Sequence, residues 1–279
     1  MLPPNFFWQD LGTGPETVLL LHSYLVDSTM YRELTETLGS SYRFIIPDMR
    51  GVGQNRDIEG PYNIEQNAAD ALALLDHLGL ERVHVAGYSM GGLTSQALYK
   101  LAPQRVRSLV LGATYSFKPC TAIERIQGTI TRNLLQRVGP RGMARLIPAE
   151  AGGGQMDAAR LRWFRQKLTE QRTEVAVDLA HSLFKFDSRT WLNRITVPTL
   201  VIGGLLDMIT PMHHTYQLAG QIPGAKLKVY ERGGHELIFQ FPDRFALEVH
   251  QFWQSVNRRR RITVQAPATA PANMTPIAG

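Results

Sequence analysis

Ser89 stands at the centre of Gly87-Tyr88-Ser89-Met90-Gly91, the spacing G-x-S-x-G. An apolar run, Val83 to Ala86, leads in, and a helix-compatible run, Leu93 to Leu101, leads out. A serine at a tight strand-to-helix turn sits in a strained backbone conformation that lifts its hydroxyl clear of the sheet. Gly87 and Gly91, two positions away on either side, are small enough to let the turn close. The N–H of Met90 then opens the following helix, where partial positive charge favours a developing oxyanion. The chemistry on offer is nucleophilic attack on a carbonyl. Five residues of this kind also recur by chance in glycine-rich loops, so the rest of the chain has to supply the partners.

A serine hydroxyl is a weak nucleophile at neutral pH and needs a base, and the base needs an orienting carboxylate. In an open parallel sheet such groups belong in loops beyond the carboxyl ends of the strands, where the loops converge on one crevice. Of the eight histidines, His84 lies inside a strand pattern and His77, His181 and His250 lie inside helical ones. His22 ends an early strand, and His213 and His214 sit at a helix start, where one of them is a further candidate to face the crevice. His235 alone follows the last strand in a glycine-flanked loop, late enough to swing over the sheet edge towards Ser89. Asp207 follows the strand ending at Gly203, with uncharged Leu205 and Leu206 before it. The competing role for Asp207 is to cap the helix near Met212. The chain order Ser89, Asp207, His235 is the one that accompanies such a turn.

The elements that must position these residues alternate. Thr17–His22, Tyr42–Pro47, Val83–Ala86 and Val106–Gly112 are apolar runs that read as strands buried on both faces. Helices are expected over Met30–Leu38, over Ile64–Leu78 behind an Asn63 cap, and after Ser89. Asn5–Leu11 reads as an edge strand. This predicts an α/β fold with a mostly parallel central sheet and helices on both faces. The next clear strand, Pro198–Gly203, comes roughly 85 residues later, whereas a crossover needs about a dozen residues. The excess predicts an inserted helical cap over 116–186, with helical patterns at Ala122–Val138, Gly142–Leu146, Asp157–Leu168 and Val175–Phe184 and a flexible Gly152-Gly153-Gly154 joint. A helix near Met212–Ala219, a strand over Ala225–Tyr230 and a closing helix over Pro242–Val256 complete the core, 1–115 with 187–257. Residues 258–279 read as a basic, irregular tail.

Composition narrows the function classes. With 279 residues, 44% hydrophobic and 19% charged, the chain is an ordinary globular one. No apolar run approaches the roughly 20 residues of a membrane span, and no secretory signal is visible, so a cytoplasmic location is expected. Cys120 is the only cysteine, which excludes an internal disulfide and a cysteine-built metal cluster; no metal and no cofactor is expected, and Cys120 is expected to be inert. The net charge of +6 is concentrated in Arg258–Arg261, but no aromatic residues interleave that run and no recognition motif accompanies it, so no nucleic-acid partner is expected.

Taken together, Leu19-Leu20-Leu21-His22, Asp48-x-Arg50-Gly51-x-Gly53, Gly87 to Gly92, Val197–Ile202 leading to Asp207-x-x-x-Pro211, and Gly234-His235 resemble the α/β-hydrolase superfamily over about residues 5 to 256. The resemblance implies Ser89 as nucleophile, His235 as base, Asp207 as acid, and the backbone N–H groups of Tyr24 and Met90 as oxyanion donors. It implies that His22, Asp48 and Arg50 fix loops. Where the family usually has His-Gly, this chain has His22-Ser23. Ser23 adds a β-carbon and a hydroxyl, which either tighten the oxyanion hole or add a donor. The implied activity is hydrolysis of an apolar carboxylic ester or lactone through an acyl-enzyme. C–C bond, thioester, perhydrolysis and acyl-transfer chemistry use the same triad, and a slow-turnover ligand receptor is the non-enzymatic alternative. Apolar cap residues such as Leu135, Met143, Trp163 and Phe164 are expected to divide between packing and lining the pocket.

Overall fold

The computed structural model describes residues 1–148, 150, 152–154 and 156–265. Seven strands form one sheet in the order β1-β3-β2-β4-β5-β6-β7. They are β1 (Trp8–Leu11), β2 (Glu16–Leu21), β3 (Tyr42–Pro47), β4 (Val83–Tyr88), β5 (Val106–Gly112), β6 (Thr199–Gly204) and β7 (Lys226–Tyr230). Only β1 runs antiparallel, pairing Trp8 with Pro47 and Leu11 with Phe44 of β3, so the expected edge strand is a single short one. The other neighbours are parallel.

Continuous apolar runs follow from burial on both faces. Along β2, Leu19 and Leu21 point into one core layer, with α2 (Ile64–His77) and α3 (Met90–Leu101), while Val18 and Leu20 point into the other, with α1 (Arg32–Leu38) and α9 (Pro242–Gln265). Asn63 caps α2, its side chain accepting from the Gln66 N–H at 2.7 Å. On α9 the fully buried Trp253 meets the Tyr42 ring edge-on at 4.9 Å. The closing helix continues past Val256 to Gln265, so the irregular tail expected from residue 258 is helical over its first residues. Asn257 is held by His84 Nε2 at 3.2 Å, and arginine is a good helix former, so nothing breaks the helix there. Residues 266–279 of the expected tail lie outside the described residues. No helix among the described residues is long and apolar enough to cross a membrane.

Between β5 and β6 run α4 (Ala122–Leu146), α5 (Ala158–Glu170) and α6 (Thr173–Lys185). The two helical patterns expected at 122–138 and 142–146 join across a kink at Gly139 (φ 66°, ψ 177°) followed by Pro140. Leu135, Ala144, Leu168, Ala176 and Ala180 of these helices form a small core of their own, and Leu25, from the loop after β2, completes it. Phe164 on α5 packs against both this core and the α9 side of the sheet, and Trp163 packs towards the latter, where it meets Phe239 at 5.5 Å. The insertion is therefore seated on the loops at the carboxyl ends of the strands. After β6 come α7 (Met212–Gln221) and, after β7, the short α8 (Leu237–Gln240).

Candidate active site

Ser89 has φ 51° and ψ −114°, a conformation a non-glycine residue adopts only under constraint. The constraint is local. The Ser89 N–H donates to Gly112 O at 2.8 Å, and Ser89 O accepts from Thr114 Oγ1 at 2.8 Å. A β-carbon on Gly91 would lie 1.8 Å from Leu21 O, and one on Gly87 would lie 2.1 Å from Gly91 O. The turn thus needs glycine at both flanks because the backbone of β2 and the start of α3 pass directly against it.

His235 comes to the same place from the loop after β7. Its Nε2 lies 3.1 Å from Ser89 Oγ, and its Nδ1 lies 2.9 Å from Asp207 Oδ2. Both His235 and Asp207 are 5% exposed. Asp207 is itself held on every side. Its Oδ1 accepts the N–H groups of Ile209 (2.8 Å) and Thr210 (2.6 Å), and its Oδ2 accepts the Thr210 hydroxyl at 2.6 Å. Burial disfavours the imidazolium of His235, but the adjacent Asp207 outweighs it and holds the pKa above the ordinary 6.5. The three residues expected from the sequence are therefore one connected hydrogen-bonded chain, with the proton-accepting nitrogen aimed at the hydroxyl.

The loop after β2 is fixed from below. His22 is fully buried; its Nδ1 donates to Ser23 O at 2.8 Å and its Nε2 accepts the Met49 N–H at 2.8 Å, which defines the neutral tautomer. Burial lowers its pKa in keeping with that state. The Ser23 N–H is turned to Met30 Sδ at 3.2 Å. The backbone N–H groups of half-buried Tyr24 and buried Met90 have no hydrogen-bond partner among the described residues, the state an oxyanion donor needs. Asp48 accepts from the Ser28 and Gln54 N–H groups at 2.8 and 2.7 Å. Arg50 forms a two-pronged pair with Asp70 at 2.8 and 2.7 Å. These contacts hold loops and do not reach the serine.

His213 and His214, the other crevice candidates, do not join this chain; both point to Glu124. Sequence reasoning missed three supporting residues. Thr210 braces Asp207, and its hydroxyl is also 3.3 Å from His235 Nδ1. Tyr88 donates its hydroxyl to His235 O. Gly152 accepts the His235 N–H at 2.5 Å. The Gly152–Gly154 joint is not free: a β-carbon on Gly153 would lie 1.6 Å from Leu206 O, and one on Gly234 would lie 1.5 Å from Gly153 O. The glycines are there because the insertion's backbone passes in contact with the Asp207 and His235 loops. Three arginines of the insertion are engaged by protein, Arg160 with Glu33, Arg165 with Ile147 O and Arg172 with Tyr62.

Comparison with known proteins points to one fold family. The family model for the alpha/beta hydrolase fold matches residues 16–139 and 159–242. A 2-hydroxy-6-oxononadienedioate/2-hydroxy-6-oxononatrienedioate hydrolase of Cupriavidus pinatubonensis is 30% identical, over 81% of this chain and 82% of that protein. The 3-oxoadipate enol-lactonase 2 of Acinetobacter baylyi is 29% identical, over 73% of this chain and 76% of its own length. Among solved structures, a thermophilic esterase from Thermogutta terrifontis superposes with a TM-score of 0.79 at 27% identity, covering 90% of this chain and 93% of that one.

Proposed function

The chain belongs to the alpha/beta hydrolase fold family, and on that premise we propose that it hydrolyses a carboxylic ester or lactone through an acyl-enzyme. The observation that carries this reading is the buried chain from Ser89 Oγ through His235 to Asp207, at 3.1 and 2.9 Å. Ser89 Oγ attacks the carbonyl carbon and His235 Nε2 takes its proton. Negative charge develops on the carbonyl oxygen, and the unpaired N–H groups of Tyr24 and Met90 receive it. The tetrahedral intermediate collapses, the C–O bond breaks, and His235 returns the proton to the departing alkoxide. His235 then takes a proton from water, whose oxygen attacks the acyl-enzyme and releases the acid and Ser89. Asp207 keeps Nδ1–H pointed at itself throughout and stabilises the transient imidazolium. The substrate's apolar parts are met by the insertion, whose core closes over the loop carrying Tyr24 and Leu25.

A second reading, hydrolysis of a C–C bond, draws on the 30% identical relative named for an oxo-dienedioate substrate. The test is turnover of p-nitrophenyl esters from acetate to palmitate, with Ser89→Ala alongside and fluorophosphonate labelling of both. Serine-dependent turnover is expected, with the preferred chain length measuring the pocket. Labelling of Ser89 without ester turnover would move the substrate class to vinylogous diketones or thioesters. Absence of both would refute the acyl-enzyme reading and leave ligand reception.

A further inference from the structure

Outside the serine site, the fold gathers a second set of side chains that the proposed hydrolysis does not use. Cys120, Glu124, His213 and His214 each offer one ligand atom, and these atoms all lie within 4.8 Å of one another. Cys120 stands just before α4, Glu124 in its first turn, and both histidines in the first turn of α7, so the set bridges insertion and core. We propose that these four residues bind one divalent transition-metal ion of the zinc class, which clips the root of the insertion to the segment that follows the Asp207 loop.

The geometry is close to what such an ion requires. Tetrahedral zinc with bonds of about 2.0–2.3 Å sets neighbouring ligand atoms roughly 3.3–3.8 Å apart. His213 Nε2 and His214 Nε2 lie 3.1 and 2.8 Å from the same Glu124 oxygen, Oε1. Cys120 Sγ lies 3.8 Å from His214 Nδ1, the ring nitrogen turned away from Glu124, so one ion can use only one of these two contacts and the thiol or the ring must turn to share Nε2 or Nδ1. The four ligand atoms spread over as much as 4.8 Å, so closing on one ion takes side-chain rotation that brings them in by about 1 Å or more. The two imidazole rings are already neighbours, tilted 37° to each other with centroids 4.2 Å apart.

The supporting contacts are divided in the same sense. Glu124 Oε2 is committed to the helix start, accepting the Cys120 N–H at 2.6 Å and the Thr121 N–H at 3.3 Å. That leaves Oε1 as the oxygen aimed into the cluster. The capping box at Thr121 and Glu124 also fixes where Cys120 can stand, one helical turn before the carboxylate. Glu124 and His214 are buried, which locks them in place, whereas the His213 side chain is 46% exposed and gives the ion a way in. The nearby cations are otherwise engaged: Lys118 donates to Ile209 O at 2.5 Å, and Arg189 pairs with Asp187.

The ligand types choose the ion. One thiolate, two imidazoles and one carboxylate suit zinc or cobalt, and they give calcium or magnesium too few oxygens. Four protein ligands close the coordination shell, so the ion is structural. The expectation of no metal rested on counting cysteines. It overlooked this set because its halves are about 90 residues apart in the chain and only the β6–α7 connection brings them together.

The test uses the full chain, stripped with chelator and titrated with zinc and, separately, with cobalt, followed by elemental analysis after gel filtration. One ion per chain is expected. The cobalt form should show tetrahedral visible bands and a thiolate-to-metal charge-transfer band. Cys120→Ser should abolish the charge-transfer band, and His213→Ala should weaken binding at least about tenfold to a hundredfold, the range already seen for losing groups that only support a ligand. Zinc should raise the melting temperature of the native chain and not that of the double variant. Both substitutions leave the buried Glu124–His214 pair intact, and metal-free melting curves check that the variants fold. No binding at micromolar zinc, or a cobalt spectrum unchanged by Cys120→Ser, would overturn the proposal.

Discussion

Replacing Asp207 with asparagine is the sharpest test of the proposed chemistry, because the structure dictates which way the new amide must lie. Oδ1 accepts two backbone N–H groups, from Ile209 and Thr210, at 2.8 and 2.6 Å. An NH2 group there would face two donors, so the amide oxygen takes the Oδ1 position. The NH2 group then occupies the Oδ2 position, 2.9 Å from His235 Nδ1 and 2.6 Å from the Thr210 hydroxyl, which can turn to accept. To accept from that NH2, His235 must leave Nδ1 unprotonated and carry its proton on Nε2. That hydrogen now points at Ser89 Oγ, 3.1 Å away, and the base is gone. Nothing else has moved, so the loss falls on kcat. A wrong tautomer costs on the order of 10⁴-fold, equivalent to about 5.4 kcal/mol of barrier. Initial rates on the best p-nitrophenyl ester and the rate of fluorophosphonate labelling should fall together, with KM little changed and the melting temperature within a few degrees of native. A loss of less than about tenfold in kcat, in a folded variant, would refute the role assigned to Asp207.

Three further outcomes follow from the same contacts. The working base is the neutral imidazole, and Asp207 holds His235 above 6.5 against the opposing effect of burial; kcat/KM should therefore fall as pH drops through a midpoint above 6.5, and a midpoint below that value would contradict it. Thr210→Val removes one hydrogen bond to a charged group while leaving both backbone donors, and a loss of about 1.5 kcal/mol corresponds to roughly a tenfold lower kcat with KM unchanged; Thr210→Ser should restore the rate. Gly91→Ala would set a β-carbon 1.8 Å from Leu21 O; the resulting displacement should cost about 3 kcal/mol or more, a drop of roughly 6–12 °C by calorimetry, and an unchanged melting temperature would show that the close approach is not real.

What could be read from the chain was what local pattern determines. The apolar runs of β2, β4 and β5 are visible because parallel strands are buried on both faces, and the turn at Ser89 is visible because Gly87 and Gly91 sit where backbone passes within contact. Asp207 was readable as a loop carboxylate, and the competing reading as cap of the helix near Met212 does not hold: that helix starts behind Pro211 without a side-chain cap, while Asp207 Oδ1 closes the turn at Ile209 and Thr210 and Oδ2 faces His235. The insertion was harder. On α4, Ile123, Ile126 and Ile130 are exposed while Gly128 and Leu135 are buried, so the hydrophobic pattern does not report which face packs. Contacts such as Gly152 O to the His235 N–H carry no sequence signal, since any residue has a carbonyl.

The contacts that escaped the sequence are also the ones that tie the insertion to the chemistry. The Tyr24 hydroxyl donates to Ala176 O on α6 at 2.5 Å, and Leu25 lies in the core formed by α4, α5 and α6. The backbone N–H proposed to receive the oxyanion therefore belongs to a residue whose side chain is fastened to the insertion. On the other side of the crevice, Gly152 holds the backbone of His235. A displacement of the insertion cannot leave these two loops untouched. Because an oxyanion donor is effective only at about 2.7–3.1 Å from the developing charge, substrate contacts made by the insertion and the geometry of the reacting centre are mechanically one system. Binding energy from the apolar part of a substrate can thus be realised at the carbonyl, as greater kcat rather than lower KM.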